Sequence, residues 1–116
     1  MFEFEKLDVY TKAKELNREV LKFLGEAKGF NRFETDQLKR ASLSVVLNIA
    51  EGSSRFTNPT KKNFYMIARG SAFECVAVFD VLKDAEKVSN EVFNAFYKRC
   101  EELSKMLFGL IRNLEK

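Results

Sequence analysis

The sequence predicts an all-α protein, an up-down-up-down antiparallel four-helix bundle, from three observations. Apolar residues recur at alternating spacings of three and four in four separate stretches, the pattern of helices that bury one face. One proline and five scattered glycines in 116 residues favour long helices over a sheet with many turns. The segments between the four stretches are short, and short connections place neighbouring helices antiparallel.

Length and composition indicate one domain, residues 1–116, with a single core. No apolar run approaches the ~18 residues that cross a bilayer, and the start of the chain alternates phenylalanine with glutamate, unlike a signal peptide. We therefore expect a cytoplasmic protein with no membrane partner. Both cysteines fall on predicted core faces and the chain has no histidine, so we predict neither a metal site nor a cofactor.

The first and fourth helices have the most regular apolar spacing. The first is predicted for residues 5–24, with Gly25 ending it and with Phe30 and Phe33 of the next loop folding back onto the bundle. The fourth begins after Ser89 or Asn90 as its cap. Their predicted core residues are Val9, Ala13, Leu16, Val20 and Phe23, then Phe93, Phe96, Cys100, Leu103, Leu107, Leu110 and Leu114.

The second helix is predicted to begin at Asn31 or Thr35 and to stop at Gly52. Asn31 and Glu34 have the spacing of a capping box, and a glycine is the usual left-handed residue after a helix. Its inward row is Leu38, Ala41, Val45, Asn48 and Gly52.

The third helix is predicted for residues 59–87, with Asn58 as its cap and Pro59 at its first position. Its inward row is Phe64, Ala68, Ser71, Cys75, Val78, Leu82 and Ala85, with a second apolar row of Tyr65, Ala72, Val76 and Phe79.

The second helix is more apolar than one bundle requires. Leu43, Val46, Leu47 and Ala50 lie outside its inward row. A helix that is apolar on all sides is buried on all sides, and a single small bundle cannot cover every face of one member. We therefore expect other copies of the chain to cover this helix, so that the protein is a homo-oligomer.

A second expectation concerns charged and polar residues set among these apolar ones. They are Arg40, Asn48, Glu51, Arg69 and Glu74. Charges on an apolar helix surface persist when they are paired, which favours a polar network that fixes how helices or subunits meet. The alternative is that some arginines face solvent as phosphate contacts. Glu51 and Arg55 can pair along one helix face if the helix continues past Gly52.

The formal net charge of +3 is unevenly distributed, because no carboxylate occurs between Gly52 and Phe73. Phe56 and Tyr65 are interleaved with the basic residues of this stretch, which suits phosphate attraction combined with base stacking. The alternative is a solvated face whose aromatic residues turn to the core. The candidate nucleic-acid-binding residues are Arg32, Lys39, Arg55, Lys61 and Lys62.

We predict no enzymatic activity and no catalytic residue. Without histidine there is no imidazole base, and neither a Walker-type loop nor a G-x-G-x-x-G motif occurs. The remaining enzymatic alternative is Glu51 as a buried general base.

Three motifs resemble one bacterial family of four-helix proteins. They are QLKRA at residues 37–41, NIAEG at 48–52 and IARGS at 67–71, joined by Ser44, Arg55 and Glu74. The family comprises proteins encoded in intervening sequences of 23S ribosomal RNA genes and the accessory variability proteins of diversity-generating retroelements. One departure is Val46, where the family often has proline.

The resemblance implies a barrel-shaped homopentamer, and thus a ring of four-helix protomers. For the retroelement members it implies nucleic-acid binding and a reverse transcriptase as protein partner. We therefore expect a non-enzymatic oligomer that binds RNA or DNA through its basic surface. The alternative is an assembly scaffold that docks a protein partner without binding nucleic acid.

Overall fold

A computed structural model describes residues 1–116 as four helices with no strand. A short 3₁₀ turn, Glu3–Lys6, precedes α1, which spans Asp8–Glu26. Helix α2 spans Arg32–Ser54, α3 spans Asn58–Asp84 and α4 spans Asn90–Leu114. The prediction of an all-helical protein with four helices is confirmed.

Ion pairs and hydrogen bonds between helices show that neighbours run antiparallel. Lys12, early in α1, lies 3.3 Å from Glu102 at the middle of α4, whereas Glu19, later in α1, lies 3.8 Å from Arg99, earlier in α4. Helix α2 runs next to α1 and α3, and α3 runs next to α4, but the backbones of α2 and α4 do not approach each other closely. They are therefore diagonal in the arrangement and face different sides of the molecule.

One core of 21 buried residues draws on all four helices. Most of the predicted inward residues are in it, including Leu16, Leu38 and Leu107, which are fully buried. Two assignments were wrong. Val46, which was expected to be covered by another copy, is buried within the chain, and Ala85 is exposed because α3 ends before it. Phe30 packs on Phe23 with ring centroids 5.6 Å apart.

The helix starts follow local hydrogen bonding. Asn31 caps α2 as predicted: its Oδ1 accepts from the backbone N–H of Glu34 at 2.8 Å, and Glu34 accepts from the Asn31 N–H at 3.0 Å. Lys87 also donates to Glu34 at 2.9 Å, which lowers the pKa of that carboxyl. Ser89 caps α4 as predicted, whereas Thr57 rather than Asn58 caps α3.

Three predicted ends and one aromatic contact were wrong. Helix α1 begins at Asp8 because Leu7 is extended, and it continues two residues past the predicted end. Helix α3 ends at Asp84, and Glu86 adopts a positive φ of 60° in the following turn. Phe33 does not fold back onto the helices but is largely exposed.

Gly52 does not stop α2, which continues to Ser54. The residue is buried at the crossing of α2 and α3, where a Cβ would lie 2.7 Å from Tyr65 Cε1 and 3.2 Å from Phe64 Cβ. The side chain of Tyr65 is buried, so its ring cannot move aside freely. Glycine is needed here for the close approach of α3 rather than for a left-handed conformation.

Gly52→Ala is expected to destabilise the fold by up to about 2 kcal/mol, because a core clash costs roughly 1–3 kcal/mol and the higher helix propensity of alanine offsets only roughly 1 kcal/mol of it. Urea unfolding followed by circular dichroism measures this. The matched control is Gly109→Ala in α4, where nothing lies within 4 Å of the new Cβ and a small gain in stability is expected. Equal effects of the two variants would contradict the close approach.

Cys75 on α3 and Cys100 on α4 are free thiols buried in the core, as predicted. A hydrogen bond with Cys100 and burial both raise the pKa of the Cys75 thiol, so it remains protonated.

None of the four helices combines the length and the apolar character that spanning a membrane requires.

Candidate nucleic-acid interface

The candidate interface is the α2–α3 junction, which we define as Arg55, Phe56, Lys61 and Lys62. Only three residues join α2 to α3. Close packing at Gly52 holds the end of α2 against the start of α3. The Thr57 hydroxyl accepts from the backbone N–H of Thr60 and starts α3 at once. Three cations are thereby held near one tight turn.

Arg55 is positioned by α2. Its Nη2 donates to Glu51 Oε2 at 2.9 Å, one helical turn earlier, and its guanidinium lies 4.7 Å from the centroid of the Phe64 ring. The expected Glu51–Arg55 pair therefore forms, because α2 persists past Gly52. Both side chains are exposed, so Glu51 is not the buried carboxylate that the general-base alternative requires.

The two lysines of the junction make contacts within the chain. Lys61 Nζ donates to the Ser53 carbonyl oxygen at 3.0 Å and so satisfies one of the free carbonyls at the end of α2. Lys62 Nζ donates to Glu115 Oε2 at 2.9 Å, linking α3 to the end of the chain. That hydrogen bond, with the charge of Lys62, lowers the pKa of Glu115.

The two aromatic residues of the basic stretch have opposite environments. Phe56 is 99% exposed in the turn beside Arg55, whereas Tyr65 is buried against Gly52. Burial raises the pKa of the Tyr65 hydroxyl. Tyr65 thus turns to the core, as the alternative expected, whereas Phe56 presents both of its ring faces to solvent.

Arg32 and Lys39 are not part of the junction. Arg32 begins α2 and Arg55 immediately follows its last residue, a separation of about 35 Å at 1.5 Å per residue. The Arg32 side chain is 95% exposed, 3.9 Å from Asp36, and Lys39 is exposed with no ion pair. The five candidate residues therefore lie in two separate places: Arg32 and Lys39 in the first half of α2, and the other three at the α2–α3 junction.

The five residues of the predicted polar network do not form one network within the chain. Asn48 Nδ2 donates to the Ser44 carbonyl at 2.9 Å, and the Ser44 hydroxyl lies 2.8 Å from that of Ser71, a contact that joins α2 to α3. Arg40 donates to its neighbour Gln37 at 3.1 Å and makes no ion pair. Glu74 is exposed on α3 and also makes no ion pair.

Arg69 lies against α4 instead of in solvent. Its Nε donates to the Ser104 carbonyl at 3.4 Å, and its guanidinium carbon lies 4.8 Å from the Phe73 ring centroid and 5.7 Å from that of Phe108. The sequence indicates that the third helix has more apolar surface than one core needs, with Arg69 interrupting its second apolar row, but it does not identify Phe73 and Phe108 as the exposed aromatic residues beside Arg69.

Four antiparallel helices around one core, without strands, define a small all-helical protein of four-helix architecture. A family model described as 23S rRNA-intervening sequence protein matches residues 5–109, and the chain belongs to that family. The fold is similar to the crystal structure of a protein of unknown function from the S23 ribosomal protein family of Bacteroides thetaiotaomicron VPI-5482. The match has a TM-score of 0.80 at 22% identity and covers 89% of this chain and 97% of that one. A comparison with curated proteins finds no match.

Proposed function

We propose that this chain is a non-enzymatic, oligomeric helical protein that binds RNA or DNA through the α2–α3 junction. One observation carries the proposal: Phe56, a fully exposed aromatic ring, directly follows Arg55 in the turn that leads to Lys61 and Lys62, and the sequence has no carboxylate between Gly52 and Phe73. Single-stranded nucleic acid is bound by this combination of aromatic platforms for bases and cations for phosphates. Arg32 and Lys39, at the other end of α2, would extend the path of the backbone.

Assembly strengthens a weak single site. The five-residue set carries a modest net charge, because Arg32, Arg55 and Lys62 each pair with a carboxylate of the chain. In a ring, which the family resemblance suggests to be a pentamer, the junction is repeated around one rim, and a nucleic acid that reaches two copies gains avidity. The family is described by the intervening sequence of 23S rRNA, so RNA is the first nucleic acid to test.

The test is a titration of fluorescently labelled single-stranded RNA and of a stem-loop of equal length, read by anisotropy. We expect the affinity of the unmodified protein to fall at least about tenfold between about 50 and 200 mM salt, because lysine and arginine contacts release counterions. A flat titration at low salt would end the proposal.

Two variants separate charge from stacking. Arg55→Gln with Lys62→Gln is expected to weaken binding and reduce the salt dependence, whereas Phe56→Ala is expected to weaken single-stranded binding about fivefold or more with the salt dependence unchanged. Lys98→Gln is the matched control, because Lys98 is an exposed α4 lysine without an ion pair. A loss of affinity in Lys98→Gln equal to that of the junction variants would indicate non-specific attraction.

A protein-docking scaffold is the second candidate. It is favoured by an exposed apolar patch at the other end of α2 and α3, where Phe33 and Val81 border a depression of about 240 Å³. In this case a protein partner, such as the reverse transcriptase that the resemblance suggests, binds the assembly. The RNA titration then stays flat, and the junction variants bind the partner unchanged.

A further inference from the structure

The groove between α3 and α4 is an exposed apolar surface. It is separate from the basic α2–α3 junction and from the apolar patch at Phe33 and Val81. It measures about 600 Å³ and is lined mainly by apolar side chains. Phe73 is 54% exposed at its edge, and Tyr97 of α4 forms the opposite wall. A large aromatic surface left open on a small subunit marks an interaction site.

The α3 wall of this groove carries a regular stripe: Arg69, Phe73, Val76 and Asp80. Arg69 and Asp80 are eleven positions apart, which places them on one face and about 16 Å apart along the helix. The stripe thus has a cation at one end, an anion at the other and apolar residues between. The contacts of Arg69 with the Ser104 carbonyl and with the Phe73 ring hold its charge at the groove.

Helix α2 carries a stripe of the same length on its outward face. We define the α2 ridge as Arg40, Leu43, Leu47 and Glu51, all of them exposed. Arg40 and Glu51 are also eleven positions apart, again a cation followed by an anion with apolar residues between. The ridge is convex because it lies on the outside of one helix, whereas the groove lies between two.

We propose that the α2 ridge of one copy docks antiparallel along the α3–α4 groove of the next copy. In that orientation Arg40 faces Asp80 of the partner subunit and Glu51 faces Arg69 of the partner subunit, while the two leucines lie over Phe73 and Val76. Both charged pairs match because the two stripes have equal length and run in opposite directions. This inference rests on the proposed assembly and names the surfaces that form it.

The ridge would also pair with itself around a two-fold axis, Arg40 against Glu51. Docking into the groove is favoured because it covers both exposed apolar surfaces, whereas the two-fold pairing leaves Phe73 and Tyr97 in solvent.

Because α2 and α4 are diagonal, ridge and groove face different sides of a subunit. A contact between two different surfaces builds rings or filaments rather than a closed dimer.

The test is charge exchange, read as molar mass by light scattering after size-exclusion chromatography. Arg40→Glu and Asp80→Lys are each expected to raise the dissociation constant of the assembly about tenfold or more, because like charges then face each other. The double variant with both changes is expected to recover the mass of the unmodified protein. Circular dichroism checks that every variant remains helical.

Asp84→Lys is the matched control, one helical turn beyond the groove. It should leave the mass unchanged, and it should not rescue Arg40→Glu. Rescue of Arg40→Glu by Glu51→Lys would overturn the proposal in favour of ridge-to-ridge pairing, and so would an Asp80→Lys variant with unchanged mass. Unmodified protein that elutes at the 13.4 kDa of one chain would instead refute the proposed assembly itself.

Discussion

Leu47→Asp is expected to convert the assembled protein into folded single chains, lowering the molar mass to 13.4 kDa. Leu47 is 53% exposed in the isolated subunit, so an aspartate there removes little packing from the fold. At the centre of the proposed interface the same carboxylate would be buried without a partner, which costs several kcal/mol at each contact. Light scattering measures the mass, and circular dichroism should show an unchanged helical content.

Leu21→Asp provides the control for this variant. Leu21 lies on α1, is exposed to a similar degree as Leu47, and belongs to neither the ridge nor the groove. It should keep the mass of the unmodified protein. If Leu47→Asp also kept that mass, the outward face of α2 would be wetted in the native protein, and the assembly would use other surfaces.

The helices and most of the core could be predicted from sequence, because periodicity reports which face of a helix is apolar. It does not report which neighbour covers that face. Val46 and Leu43 both lie outside the predicted inward row of α2, yet Val46 is buried within the chain and Leu43 is exposed. Only the arrangement of the four helices distinguishes these two residues.

Glycine at position 52 shows a second limit. A glycine near the end of an apolar stretch indicates equally a left-handed stop and a close helix crossing. The packing of Tyr65 against Gly52 decides for the crossing, and this contact joins positions on two helices. Local sequence does not contain it.

The candidate interface was predicted in part. The basic stretch and its aromatic residues are visible in the sequence, but residues in a connection have no periodicity that assigns them to core or solvent. Phe56 is therefore distinguished from Tyr65 only by the structure. The partner of Lys62, Glu115, lies at the far end of the chain, so no local pattern reveals that contact.

Leu107→Ala is expected to lower the free energy of unfolding by about 2–5 kcal/mol, without changing the native mass. Leu107 is fully buried within one subunit. The substitution therefore loses the free energy of burying the deleted methyl and methylene groups, and it leaves a cavity in close-packed surroundings. A loss of this size is a large part of the roughly 5–15 kcal/mol that stabilises a typical domain. Urea unfolding measures it as a shift of the midpoint at constant slope.

The proposed assembly would also stabilise each subunit in a concentration-dependent way, so the unfolding is best measured in the Leu47→Asp background, where single chains are expected. Leu21→Ala, at an exposed site, controls for the loss of a leucine and should cost little. The two leucine variants then act on separate properties: Leu47→Asp changes the mass and leaves the subunit fold, whereas Leu107→Ala weakens the fold and leaves the mass. If Leu107→Ala lost the assembly while its subunit stayed fully helical, this separation would be contradicted. Packing in the core would then determine the shape of the interface.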